Sequence, residues 1–362
     1  MRRALSPALL ALAAVAAAGL VVYLAVRPAS GPGAGPRATT DRTSSPGRVV
    51  PTDIEERPPL PLGAALPAEF PYPGCPDGHE CRQLAVACPN VREEARVTIA
   101  IAHPQTDARG VVVFFSGGGG RDWWADEGST DAFLADVRSE GLAVVQVRWK
   151  DEWLGASTGE QAAPHRLACR TATLLGVIHR DVYQRLDAPE PERGRCGFCL
   201  TGSSGGASQI AYAMAFYGLD DLVDVVIPTG GPPHAALAKG CLRDPAFQKY
   251  WYEGASVQTI DTSWGFRGGG GPCVSHDEAF REEWDAASVD LGGHDYTHPD
   301  TRIHVILGER DRVSPHAEDY VARLRAGGSP DVTYEVVPGM GHSIADSPDG
   351  LNALLRALLG SS

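Results

Sequence analysis

The chain has 362 residues, 43% of them hydrophobic and 21% charged, with a formal net charge of −13. That acidic balance, with no basic cluster, excludes a duplex-binding role, which needs a positive face to neutralise phosphates. No nucleic-acid partner is expected, and the 8 cysteines fit an exported, disulfide-bonded protein.

Met1-Arg2-Arg3 is followed by an uncharged stretch, Ala4 to Val26, rich in Ala, Leu and Val. As a helix it reaches about 35 Å, enough to cross a hydrocarbon core of about 30 Å. Cleaved leaders have a shorter apolar region of about 7–15 residues. Residues 1–26 therefore read as a signal anchor, with cleavage as a signal peptide at Ala16-Ala17-Ala18 left open. Either way the rest of the chain is expected outside the cytoplasm, secreted or tethered to the membrane by this segment. Residues 27–73 are rich in Pro, Gly, Ser and Thr, which bury too little surface to offset chain entropy, and are expected to form a disordered linker. Residues 74–362 suit one large α/β domain.

Within it, Val97 to Ala102 alternates as a strand, and Val111 to Phe115 is a β-branched and aromatic run of the kind buried in a parallel sheet. A helix is expected over Ser129 to Ser139, N-capped by Ser129 and ended by Gly141. Ala143 to Val147 is the next buried strand, and apolar spacing predicts one long helix over residues 163–186. Phe198 to Thr201 and Val223 to Pro228 are further strands. About 70 aromatic-rich residues then precede the strand Ile303 to Leu307. Ser314-Pro315 starts a helix, Val332 to Val337 is a strand, and Leu351, Leu354, Leu355 and Leu358 mark the last helix. Such alternation implies a mostly parallel central sheet with helices on both faces.

Gly202-Ser203-Ser204-Gly205-Gly206 joins a predicted strand directly to a predicted helix. A serine at so tight a turn takes a strained backbone, tolerates only small neighbours and stands at a helix N-terminus that favours an oxyanion. In a chain with 42 glycines a chance G-x-S-x-G match comes easily, and Gly155-Ala156-Ser157-Thr158-Gly159 is a second one. Ser157 follows Lys150-Asp151-Glu152 and reads as a solvated loop, so Ser204 is the nucleophile candidate. A serine hydroxyl needs a base, and the base needs a group to hold its tautomer. His342 follows the strand ending at Val337, and Asp311 follows the one ending at Leu307, with Glu309 as the alternative acid. Ser116-Gly117-Gly118-Gly119-Gly120 follows the strand ending at Phe115 and can present unobstructed N–H groups. All these groups lie at the carboxyl ends of strands, where open α/β sheets build their sites.

In the order Ser204, Asp311, His342, behind a glycine loop, residues from about Val97 to Leu359 resemble the α/β-hydrolases. The resemblance implies an α/β-hydrolase fold and a Ser204–His342–Asp311 triad. It also implies an oxyanion hole from the N–H of Gly118 or Gly117 and that of Gly205, with Ser116 where the family usually has histidine. The activity implied is hydrolysis of small-molecule or polymeric carboxylic esters through an acyl-enzyme. An acyltransferase or serine peptidase with the same triad, and a non-catalytic binding module on a hydrolase fold, stay open as alternatives. The family often inserts a cap before the strand preceding the acid. Residues 235–300 are placed there, their aromatics forming either pocket walls over Ser204 or the cap's own core. Trp123 and Trp124, just past the glycine loop, are candidate substrate contacts. No cofactor is expected. His294, Asp295 and His298 are metal-type donors, but Gly292-Gly293 and Pro299 argue against a helix aligning them, so no metal site is expected.

Among the cysteines, one local bridge is expected within Cys75, Cys81 and Cys88, and another between Cys241 and Cys273. Cys196 and Cys199, read as lying on a strand, would face opposite sides, and Cys169 offers a partner for one of them.

Overall fold

A computed structural model describes residues 57–128 and 130–360 of the chain. The expected leader, the first part of the linker and the expected cap residue Ser129 lie outside them. The strands are β1 (Ala64–Pro67), β2 (Glu80–Ala87), β3 (Ala95–Ala102), β4 (Gly110–Phe115), β5 (Leu142–Trp149), β6 (Phe198–Ser203), β7 (Val225–Thr229), β8 (Arg302–Gly308) and β9 (Val332–Val337). The helices are α1 (Asp131–Ser139), α2 (Ala163–Leu167), α3 (Cys169–Asp181), α4 (Gly205–Tyr217), α5 (Leu237–Cys241), α6 (Ala255–Ser263), α7 (Pro272–Ser275), α8 (Arg281–Ala287), α9 (Ser314–Gly327) and α10 (Pro348–Leu359).

One sheet runs in the order β1-β2-β3-β5-β4-β6-β7-β8-β9. The first three strands pair antiparallel, as do β3 and β5. From β5 through β4 to β9 every pairing is parallel. The strand pleat sorts side chains to two cores. Val111, Val113, Phe115, Val145 and Leu200 meet Leu174, Ile210 and Leu324 of α3, α4 and α9 on one face. Val112, Phe114, Val144, Ile227 and Ile306 meet Phe133, Val137, Leu354 and Leu358 of α1 and α10 on the other. Apolar residues on both sides are why these strands read as continuous hydrophobic runs rather than alternations. Helix α4 is buried along its whole length, which fits its nearly all-apolar sequence.

Some local expectations need correction. The linker expected through Pro73 ends sooner: β1 pairs with β2, Leu60 N–H donates to Phe216 O at 2.8 Å, and Gly63 N–H donates to Thr173 Oγ1 at 2.8 Å. A four-residue edge strand leaves no periodic signal in a Pro-rich segment. The helix expected over 163–186 is two, α2 and α3, broken at Ala168; periodicity misses the break because the apolar spacing runs across it. At α1 the N-cap position is Thr130, whose Oγ1 donates to Ala125 O at 2.9 Å.

The insertion after β7 folds around its own centre. Leu237, Tyr252, Ile260, Trp264, Trp284 and Cys273 are buried together, and the Asp261 carboxylate accepts the N–H groups of Cys273 at 2.8 Å and Val274 at 3.0 Å. Buried Lys239 of α5 pairs with Asp290 and, at 2.8 Å, with Asp319 of α9, which ties the insertion to the main body.

All eight cysteines are bridged, as Cys75–Cys81, Cys88–Cys169, Cys196–Cys199 and Cys241–Cys273. Cys169 thus pairs with Cys88 and not with the C-x-x-C pair. Cys196 lies before β6 begins, so the strand rule that would set it opposite Cys199 does not apply. The Cys88–Cys169 bridge closes a segment with a sequence separation of 81, whereas Cys75–Cys81 has one of 6. Loop-closure entropy then favours the longer bridge by about 2 kcal/mol. Urea unfolding of the double variant Cys88→Ala/Cys169→Ala is expected to show the larger loss of stability, and that of Cys75→Ala/Cys81→Ala the smaller.

Candidate active site

Ser204 sits between the end of β6 and the start of α4 with φ 51° and ψ −110°. This positive φ strains any L-residue other than glycine. The neighbours hold it there. Ser204 N–H donates to Thr229 O on β7 at 2.9 Å, and Ser204 O accepts the N–H of Ser208 at 3.1 Å in the first turn of α4. A Cβ on Gly206 would lie 2.3 Å from Phe115 O, so the helix can start this close to β4 only with glycine at that position.

The turn directs Ser204 Oγ to His342 Nε2 at 2.8 Å, and His342 Nδ1 meets Asp311 Oδ1 at 3.0 Å. The buried carboxylate fixes the tautomer: Nδ1–H donates to Asp311, leaving the Nε2 lone pair for the serine hydroxyl. The Asp311 side chain is 1% exposed and that of His342 45% exposed. Asp311 Oδ1 also accepts Val313 N–H at 3.0 Å, which pins it after β8. The hydrogen bond to Asp311 raises the His342 imidazole above its ordinary 6.5; burial opposes this, and the charges of Asp311 and Glu127 add to the rise. The alternative acid, Glu309, does not reach the imidazole. Its carboxylate accepts Gly339 N–H at 2.9 Å and braces the loop that carries His342.

The glycine loop after β4 packs against the elbow. A Cβ on Gly205 would lie 2.1 Å from Gly118 O and 2.9 Å from Gly118 N, so the backbones of Gly118 and Gly205 are immediate neighbours beside Ser204. As the first residue of α4, Gly205 has an N–H with no partner inside the helix. Ser116 Oγ donates to Asp122 O at 2.7 Å and closes the loop on itself. Gly117 is placed differently from the expectation, because its N–H donates to the Glu127 carboxylate. That leaves the N–H groups of Gly118 and Gly205 beside Ser204.

Glu127 is the group that sequence reasoning missed. It follows a single helical turn, Trp124–Asp126, and nothing in the spacing marks it. Burial pushes its carboxyl up to about 7, against the lowering effect of its hydrogen bonds with Gly117 and Ser203. The two tryptophans of the same segment lie elsewhere than expected. The Trp124 ring packs 4.8 Å from Phe114 and 5.5 Å from Phe133, inside the core. Trp123 is buried under the Arg148 guanidinium at 5.9 Å. Neither lines the cavity of about 700 Å³ over Ser204, whose walls include Arg121, Asp122, Glu127, Arg148 and Asp346. The insertion contributes nothing to that lining; Tyr252, Trp264 and Trp284 serve its own core, while Tyr296 packs into the main core. Ser157 is held by a bond from its N–H to Glu160 at 2.8 Å, and its hydroxyl has no imidazole partner.

No protein-family model matches the chain, and no curated protein matches it. Solved structures do. Carboxyl esterase 2 from the fungus Tuber melanosporum is 16% identical, with 80% of this chain and 91% of that one covered at a TM-score of 0.50. A bacterial heroin esterase is 18% identical, with 78% and 83% covered at a TM-score of 0.49. An acylaminoacyl peptidase from Pyrococcus horikoshii is 13% identical, with 79% and 41% covered at a TM-score of 0.42. With its sheet order, its elbow after the strand next to the glycine loop and its likeness to the fungal esterase, the chain has the fold of the α/β-hydrolase superfamily.

Proposed function

We propose that the protein is an extracytoplasmic serine hydrolase of carboxylic esters. The observation that carries this reading is the relay from Ser204 Oγ through His342 to Asp311, at 2.8 Å and 3.0 Å, set beside two neighbouring backbone N–H groups. His342 Nε2 takes the serine proton as Oγ bonds to the ester carbonyl carbon. Gly118 and Gly205 N–H groups stabilise the oxyanion. The imidazolium then protonates the departing alcohol, and water repeats the sequence on the acyl-enzyme to release the acid. The exposed His342 edge gives water ready access to that intermediate, which favours hydrolysis over transfer to a second acceptor. The polar, mixed-charge walls favour small or polar acyl groups over long alkyl chains. Four disulfides fit an oxidising compartment, and membrane tethering would rest on residues 1–26.

A p-nitrophenyl ester series is expected to give the highest kcat/KM for acetate or butyrate and little turnover of palmitate. Ser204→Ala is expected to lower kcat by about three orders of magnitude or more, with Ser157→Ala unchanged; equal loss in both variants would defeat the assignment of the nucleophile. The base must be neutral to act, so activity is lost as pH falls through a midpoint above the ordinary imidazole value of 6.5. Glu127→Gln removes a negative charge that favours the imidazolium, so the acid limb of its pH–kcat/KM profile is expected to move to lower pH. Expression in an oxidising compartment is expected to yield more soluble, active protein than expression in a reducing cytosol.

A further inference from the structure

We propose that Asp220, Asp295 and His298 form a binding site for a divalent cation of the zinc type, structural in role and remote from Ser204. One ligand atom from each of the three side chains lies within 4.8 Å of the other two. His298 is 0% exposed, yet neither of its ring nitrogens has a hydrogen-bond partner among the described residues. A buried imidazole without partners runs against the near-universal pairing of buried polar groups, and here it faces two carboxylates. His298 Nδ1 stands 3.9 Å from Asp295 Oδ2, too far for a hydrogen bond and suited to a shared cation between them.

The surroundings are built to hold these donors. Asp295 Oδ1 accepts Thr297 N–H at 2.8 Å, which leaves Oδ2 to the site. His298 N–H donates to Ser329 Oγ at 3.0 Å. The N–H groups of His294 and Asp295 both donate to Ala215 O, at 2.7 and 2.9 Å, and so bring the segment against the last turn of α4, just before Asp220. The charges of Asp295 and Asp221 oppose that of Asp220, and a cation bound between the carboxylates would offset them. One imidazole with two carboxylates suits zinc, with water completing a tetrahedron; calcium prefers an all-oxygen shell. Zinc bonds of about 2.0–2.2 Å need only a small inward rotation of the two partly exposed carboxylates. His294 stays out of the site, with its Nδ1 on Pro58 O at 2.9 Å. Local spacing therefore misleads twice: it offers a histidine that faces away, and it hides a third donor that comes from the end of α4. That helix separates the site from Ser204 by about 20 Å. Its role is to fasten the nucleophile helix to the segment entering β8, the strand that leads to Asp311.

The test uses the full chain stripped of metal and titrated with Zn²⁺ in a calorimeter, alongside thermal unfolding. One equivalent is expected to bind and to raise Tm by several degrees. Asp220→Asn and Asp295→Asn are each expected to weaken Zn²⁺ at least tenfold and abolish the rise in Tm. Their metal-free Tm should match or exceed the wild type's, since a carboxylate repulsion is relieved, which separates lost binding from lost folding. His294→Ala is expected to bind as the wild type does. Co²⁺ in place of Zn²⁺ should give visible absorption that Asp295→Asn loses. Absence of binding to the wild type, undiminished binding to Asp220→Asn, or a response to Ca²⁺ in place of Zn²⁺ would each overturn the proposal.

Discussion

The backbone of residue 204 is held at φ 51°, a conformation that costs a non-glycine residue about 1–3 kcal/mol. It persists because both flanking elements are immovable. β6 is buried on both faces between β4 and β7, and α4 is buried along its length against the same strands. Relaxing the turn would pull one of them out of the core. The strain therefore fixes where Oγ points, and with it the distance to an imidazole that comes from a loop 138 residues later. The same tight approach sets the N–H of Gly205 beside Gly118, so the Ser204 hydroxyl and those two backbone groups share one geometric origin.

Two carboxyl groups act on His342 in different ways. Asp311 is buried and bonded to the ring, and selects its tautomer. Glu127 acts through space, and takes up the N–H of Gly117. Its raised proton affinity follows from burial, and its charge adds to the rise at His342.

Much of the fold is legible in the sequence because β4, β5, β6 and β8 are buried on both faces and leave continuous apolar runs. Ser204 and Asp311 are legible for a related reason, since each follows such a run; His342 is legible from the glycine turn after β9, an edge strand that is largely exposed. What is illegible is set by tertiary contact. β1 is too short to carry a period. Trp123 and Trp124 look like pocket residues by chain position, but the loop turns them into the core and presents Arg121, Asp122 and Glu127 instead. The insertion's aromatics fit two roles by chain position, and the Cys241–Cys273 bridge and the Asp261 carboxylate organise Tyr252, Trp264 and Trp284 around a separate centre.

The Cys88–Cys169 bridge spans β3, β4 and β5, the strands where the sheet changes from antiparallel to parallel. A protease that cuts any exposed turn between those strands makes two fragments that stay covalently joined, with their edges still paired. The bridge thus keeps both sides of such a nick on one covalent skeleton once the thiols have oxidised.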